Sequence, residues 1–179
     1  AGFDNAHKPD SQDICFIPDG NYRAFVEPRL KNRRPGVIVG QAGEVLRSHD
    51  GIHGFTIGQR RGLGLPGGSG APLYVTEIDP ETGTVTLGHA RDLLRRDLYA
   101  SGVNWISFTP PDGGIRVDAR VRYRSRDASA WIEPAVGGVI VRFDEPQRAI
   151  TPGQAVVFYQ GEELLGGGVI QGVVTAEAC

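Results

Sequence analysis

The sequence predicts a mainly β protein: a small central β domain followed by a C-terminal six-stranded antiparallel β-barrel, with an irregular, partly helical segment at the N-terminus. Three observations carry this reading. Twenty-six Gly and 12 Pro among 179 residues punctuate the chain with turns. Short runs place apolar residues at alternate positions, the period of a strand with one buried face. From Leu98 onward six such runs follow one another with no helical stretch between them, as in a small closed barrel.

Residues 1–18 are polar and Pro-bearing and read as an irregular segment, and residues 1–22 together make the cysteine-bearing stretch that precedes the β domains. Asp19-Gly20-Asn21 is suited to cap a short helix over Tyr22 to Val26, which Pro28 would limit. Residues 23–95 form the central domain. In it Val37-Ile38-Val39 and Glu44-Val45-Leu46-Arg47 flank a Gly40–Gly43 turn, and a second hairpin joins Leu73–Ile78 to Thr84–Leu87 across Asp79-Pro80-Glu81-Thr82-Gly83. The stretch between the hairpins is too rich in glycine to be a helix interior. Asp92–Arg96 is a possible helical turn at the domain boundary. Residues 96–179 form the barrel, with strands expected near 98–108, 116–126, 130–136, 139–144, 155–160 and 164–173.

A net charge of −2 excludes a globally basic polyanion binder, so a nucleic-acid surface must be a local patch. Two cysteines, Cys15 and Cys179, do not make a disulfide framework. With no signal peptide and no membrane-length apolar run, the chain is placed in the cytoplasm with no membrane partner. It contains no Met and begins at Ala1 within what reads as interior sequence, so it is expected to be a fragment.

Lys8-Pro9-Asp10-Ser11-Gln12-Asp13-Ile14-Cys15-Phe16-Ile17 holds the one strong nucleophile in the body of the chain. A thiol can carry sulfur as a persulfide or attack a disulfide once its thiolate is stabilised. Asp10 and Asp13 would oppose that ionisation, and Lys8 would favour it. Residues alone leave a second reading open, in which Cys15 is a small hydrophobe in a buried Ile14–Ile17 run.

On a strand over 116–126, alternation puts Arg116, Arg120, Arg122, Arg124 and Arg126 on one face with Asp118, at spacings of about 6.6 Å. Such a row can follow the phosphates of an RNA strand, with Tyr123 available to stack a base. Equally, it can be a solvated face paired with Asp127, Glu133 or Asp144. Gly58-Gln59-Arg60-Arg61-Gly62-Leu63-Gly64 offers backbone N–H groups and two guanidinium groups to a phosphate, but lacks the pattern of a nucleotide P-loop. His49 and His53 have the spacing of a helix-borne metal pair, yet Gly51 and Gly54 oppose a helix and no third ligand is evident; no metal is expected. Leu165-Gly166-Gly167-Gly168 suits close strand packing or a bulge, and Thr151-Pro152-Gly153-Gln154 a tight turn.

Taken in order, Lys8–Ile17, His49-Asp50-Gly51 through Gly64, Leu73-Tyr74-Val75, Val121-Arg122-Tyr123-Arg124, Thr151–Val156 and Leu165–Gly168 resemble the C-terminal half of the bacterial tRNA-specific 2-thiouridylase family. The resemblance covers nearly the whole chain. It implies an ATP-dependent tRNA sulfurtransferase that replaces the C2 oxygen of the wobble uridine by sulfur. ATP, with Mg, would be bound by an N-terminal ATP-pyrophosphatase domain whose phosphate loop this sequence lacks, and no cofactor is expected on these residues. Cys15 matches the family's persulfide cysteine, loaded by a cysteine desulfurase or a sulfur-relay protein. The first catalytic cysteine has no counterpart here, and Cys179 matches no motif. Arg122, Tyr123 and Gln154 match positions that contact the tRNA anticodon arm; Gln59, Arg60, Arg61, Arg120 and Arg124 are weaker RNA candidates. The fragment is therefore expected to be inactive alone. The alternative reading is a noncatalytic RNA-binding barrel with an inert Cys15; a stand-alone sulfur-relay or redox protein would leave the arginine strand unexplained.

Overall fold

A computed structural model describes residues 17, 22–30, 34–65, 70–106, 112–122 and 125–174. The chain divides into two compact units, 1–34 and 35–179. In the first, α1 (Tyr22–Val26) has the expected span. Pro28 does not stop the chain at once. It sits in a 3-10 turn over Glu27–Arg29, where a missing N–H leaves no helical bond unmade, and the turn ends at Leu30. Arg29 folds back, its guanidinium 3.7 Å from the Phe25 ring centroid and Nη1 donating to Phe25 O at 2.6 Å.

The second unit opens with a four-stranded sheet of β1 (Gly36–Val39), β2 (Val45–His49), β3 (Tyr74–Asp79) and β4 (Thr84–Gly88), in the order β2-β1-β4-β3. Both expected hairpins are present. Parallel pairing of Ile38 with Val85 and Val39 with Thr86 joins them, which makes the sheet mixed. Ile38, Val75, Val85 and Leu87 are fully buried, and Leu63 of the glycine-rich loop packs with them.

Asp79 closes the β3–β4 hairpin. Its Oδ2 accepts from the Thr82 hydroxyl at 2.6 Å and its Oδ1 from Glu81 N–H at 2.8 Å. Those two bonds, the hydroxyl's foremost, hold the carboxyl below its ordinary value of 3.8. A carboxyl whose folded pKa is depressed adds stability that is complete above its unfolded value and lost as pH falls through the lower folded one. Asp79→Asn should therefore flatten the acid limb of the stability profile, read by thermal unfolding between about pH 5 and pH 2. An acid limb identical to the parent's would mean that the turn does not depend on this carboxylate.

Six strands make a closed antiparallel barrel: β5 (Leu94–Trp105), β6 (Ile115–Arg120), β7 (Ala128–Ala135), β8 (Gly138–Arg148), β9 (Ala155–Gln160) and β10 (Glu163–Val173), in the order β10-β5-β8-β7-β6-β9. Alternation fills the interior: Leu98 and Ala100, Val117 and Ala119, Ala130 and Ile132, Val139, Val141 and Phe143, Val156 and Phe158, Leu165 and Ile170. The Leu165–Gly168 run does allow close packing. A Cβ at Gly167 would lie 2.7 Å from Val156 O, and one at Gly168 3.0 Å from Ser101 O. Register shifts between Gly167 and Val169 and between Ile170 and Gly172 bend this strand as it closes the barrel.

Three sequence expectations change. The helical turn lies earlier, over Ala90–Leu93, where Asp92 Oδ2 accepts from His89 N–H at 2.7 Å, and Leu94 already belongs to β5. The strand expected over 139–144 continues to Arg148 because its partner β5 starts early enough to pair Leu94 with Arg148. The strand expected over 116–126 ends at Arg120, and Val121-Arg122 form a bend that is closed by Ser125 N–H and Oγ donating to Arg122 O at 3.0 and 2.8 Å. Arg122 and Arg126 therefore lie outside the strand whose outer face carries Arg116 and Arg120.

Candidate nucleic-acid interface

On β6, alternation turns Arg116, Asp118 and Arg120 outward while Val117 and Ala119 face the core. Those outward charges meet partners on the barrel itself. Arg116 pairs with Asp144, and Arg120 holds Asp127 through two bonds, Nε to Oδ1 at 2.7 Å and Nη2 to Oδ2 at 2.9 Å. Asp118 accepts from Ser129 Oγ at 3.0 Å. The paired-face reading thus holds for the strand proper. Exposed pairs of this kind contribute only about 0–1 kcal/mol each, but they do occupy the guanidinium groups.

Arg122, beyond the strand end, differs. Its side chain is exposed, and Nη2 donates to the main-chain carbonyl of Arg148 at 2.8 Å. A carbonyl orients the guanidinium without neutralising it, so the charge remains for an external anion. Gln154 sits on the Thr151-Pro152-Gly153-Gln154 turn, where Gly153 takes φ +84° and Gln154 N–H closes onto Thr151 O at 3.3 Å. The turn docks on β10: Gly153 N–H donates to Ile170 O at 2.8 Å and Ile170 N–H to Gln154 O at 2.8 Å. Gln154 is exposed on that fixed backbone.

In the glycine-rich loop Arg60 and Arg61 are exposed, whereas the Gln59 amide is engaged at both ends. Its Oε1 accepts from Thr56 N–H at 3.0 Å and its Nε2 donates to Arg61 O at 2.9 Å, so it shapes the loop. His49 Nε2 bonds Gly83 O at 2.9 Å and Nδ1 accepts from Gly51 N–H at 3.1 Å, which occupies both nitrogens of the first histidine in the spacing noted above. Among the described residues no group of three or more His, Cys, Asp or Glu is placed to hold a metal ion. Nor is any helix among them long and apolar enough to cross a membrane. Cys15, Tyr123, Arg124 and Cys179 lie outside the described residues.

Sequence reasoning missed Arg148 and Tyr74. The Arg148 guanidinium lies 4.9 Å from the Tyr74 ring centroid, linking the end of β8 to the start of β3. Only Tyr74 stood in a motif, and nothing local in the sequence joins it to an arginine 74 positions later.

Two family models match the chain: a tRNA methyl transferase PRC-barrel domain over residues 23–89 and an aminomethyltransferase beta-barrel domain over residues 95–170. The mixed sheet falls within the first and most of the barrel within the second, so the class is a two-part β module of the kind that such transferases carry. Among curated relatives, the tRNA-specific 2-thiouridylase MnmA of Moorella thermoacetica is 47% identical over 174 residues, 96% of this chain and 48% of that protein. The protein of the same name from Chlorobaculum tepidum is 47% identical over 174 residues, covering 94% and 47%, and that from Clostridium perfringens is 44% identical over 175 residues, covering 97% and 48%. The chain belongs to the tRNA-specific 2-thiouridylase family. It spans about half the length of the curated relatives it matches.

Proposed function

We propose that this chain is the part of an ATP-dependent tRNA sulfurtransferase that carries the persulfide cysteine and the tRNA-contacting β domains. In this reading residues 1–22 complete the ATP domain, residues 23–95 are the central domain and residues 96–179 the barrel that meets the anticodon arm. The enzyme works in the cytoplasm on C2 of the wobble uridine. ATP supplies the activation that turns the C2 oxygen into a leaving group. Cys15 brings the sulfur, received as a persulfide from a cysteine desulfurase or sulfur-relay protein. A second cysteine, on the ATP domain, attacks that persulfide: it releases sulfide or resolves the intermediate, and a disulfide with Cys15 is left. Alone, these 179 residues are not expected to thiolate tRNA, because the phosphate loop and that second cysteine have no counterpart among them.

The observation that carries the RNA half of this reading is Arg122, exposed and braced by a neutral carbonyl. Its strand neighbours Arg116 and Arg120 are engaged by carboxylates. Gln154, on a rigid turn, adds an amide that can address a base edge or a sugar. Arg122→Ala should weaken binding of tRNA about tenfold at low salt. It should also reduce the slope of log affinity against log salt by about one unit. An unchanged slope would assign Arg122 to the protein's own architecture.

A further inference from the structure

We propose that Tyr74 is a positioning residue for RNA contact, setting Arg122 through Arg148; this rests on the RNA reading of Arg122 given above. Arg122 and Arg148 are two cations that share one stretch of backbone. Arg122 grips the Arg148 carbonyl at 2.8 Å, and the Arg148 side chain lies against the Tyr74 ring at 4.9 Å. Neither is held by a carboxylate among the described residues, in contrast to Arg116 and Arg120. The ring face therefore provides the attraction that keeps one guanidinium in place. The other is left to present its charge outward.

The frame around this contact is rigid on each side. Tyr74 pairs in register with Gly88, and its neighbour Val75 is fully buried. Val75 exchanges two backbone bonds with the glycine-rich loop, Gly58 N–H to Val75 O at 2.8 Å and Val75 N–H to Gln59 O at 2.9 Å. On the barrel side, Arg148 pairs with Leu94 and is followed by Ala149, which is buried with φ +55°. Ala149 N–H donates to Leu93 O at 2.9 Å, its carbonyl accepts from Thr151 Oγ1 at 3.0 Å, and its Cβ sits where a Cβ on Gly58 would come within 3.0 Å. A non-glycine residue stays left-handed only where its surroundings impose that conformation, and here three contacts do. The bend turns the Arg148 carbonyl toward Arg122, while Tyr74 fixes the side chain of the same residue. The mixed sheet thus acts on the barrel's RNA contact without touching RNA through Tyr74.

The test measures binding of the full chain to an anticodon stem-loop RNA with uridine at the wobble position. Tyr74→Ala should lower affinity about two- to fivefold, the value of one exposed cation–π contact. Tyr74→Phe, which keeps the ring face, should bind like the parent. In an Arg122→Ala background, Tyr74→Ala should cause no further loss, because it acts through Arg122. Losses that multiply, or a Tyr74→Ala variant that binds like the parent, would overturn the positioning role while leaving the RNA reading intact. Should Arg122→Ala alone leave affinity unchanged, both readings fall. If Tyr74→Ala does not fold, Arg148→Met removes the other half of the contact, and the same loss and the same non-additivity are expected.

Discussion

Replacing Cys15 with serine in the intact enzyme that carries this chain is expected to abolish thiolation of tRNA and leave tRNA binding near the parent level. A serine hydroxyl cannot hold a second sulfur, so nothing is delivered to C2 and no disulfide can form to resolve an intermediate. The loss should be complete within detection, because the change removes the sulfur itself and does not merely detune a pKa. Thiolated nucleoside quantified by mass spectrometry, beside a mobility-shift assay for binding, reads both halves of the expectation. Loading with a cysteine desulfurase and trapping the product at Cys15 then separates the sulfur carrier from the noncatalytic RNA-binding barrel, in which that thiol stays inert. Thiolation by Cys15→Ser at the parent rate would remove the catalytic assignment altogether.

Phe158→Ala should be the most damaging single change to the barrel. The ring is fully buried at the centre of the interior and stacks on Trp105 with centroids 5.6 Å apart and planes at 29°. Truncating a buried Phe removes its transfer energy and leaves a cavity, together about 3–5 kcal/mol. A domain of this size has only about 5–15 kcal/mol in total, so the variant should sit near its unfolding threshold at physiological temperature. Urea unfolding should show a large drop in midpoint at unchanged slope. Val136→Ala is the control. That side chain is 99% exposed, and its loss should stay within about 0.5 kcal/mol. A cost below about 1 kcal/mol for Phe158→Ala would mean that the cluster around it is not the core.

How much of this was legible in the sequence follows from what a period-two pattern encodes. Alternation along Arg116–Arg120 says which side chains face inward, and Val117 and Ala119 are buried as that pattern requires. Pro152-Gly153 and the Gly166–Gly168 run specify local backbone, and they too were readable. Alternation does not say which strand lies alongside. The parallel pairing of Ile38 with Val85 is a tertiary fact with no local signal, and although Asp144 is among three carboxylates that the sequence offers to the arginine face, nothing local matches it to Arg116. The end of β6 escaped for a related reason. Val121 and Arg122 keep the alternation, and Val121 is still buried, so the pattern runs on where the hydrogen-bonded ladder has stopped. Gln59 and Gln154 show the same limit at the candidate interface: both are loop glutamines, and only their neighbours distinguish an amide engaged at both ends from one on an exposed turn.

The seam of the barrel has a consequence for how the chain is made. β10 closes the ring by pairing Ser101 with Val169 and Leu98 with Val173. As a ribosome releases the chain N-terminus first, β5 emerges long before the strand that covers its second edge. Until then that edge is an open template for pairing with another molecule. Contacts of such sequence separation also form slowly, because the intervening loop must be closed before any of them rewards it. Completion of the barrel is thus a late step, after synthesis of its final strand, and it is the interval in which the nascent protein is most exposed to aggregation.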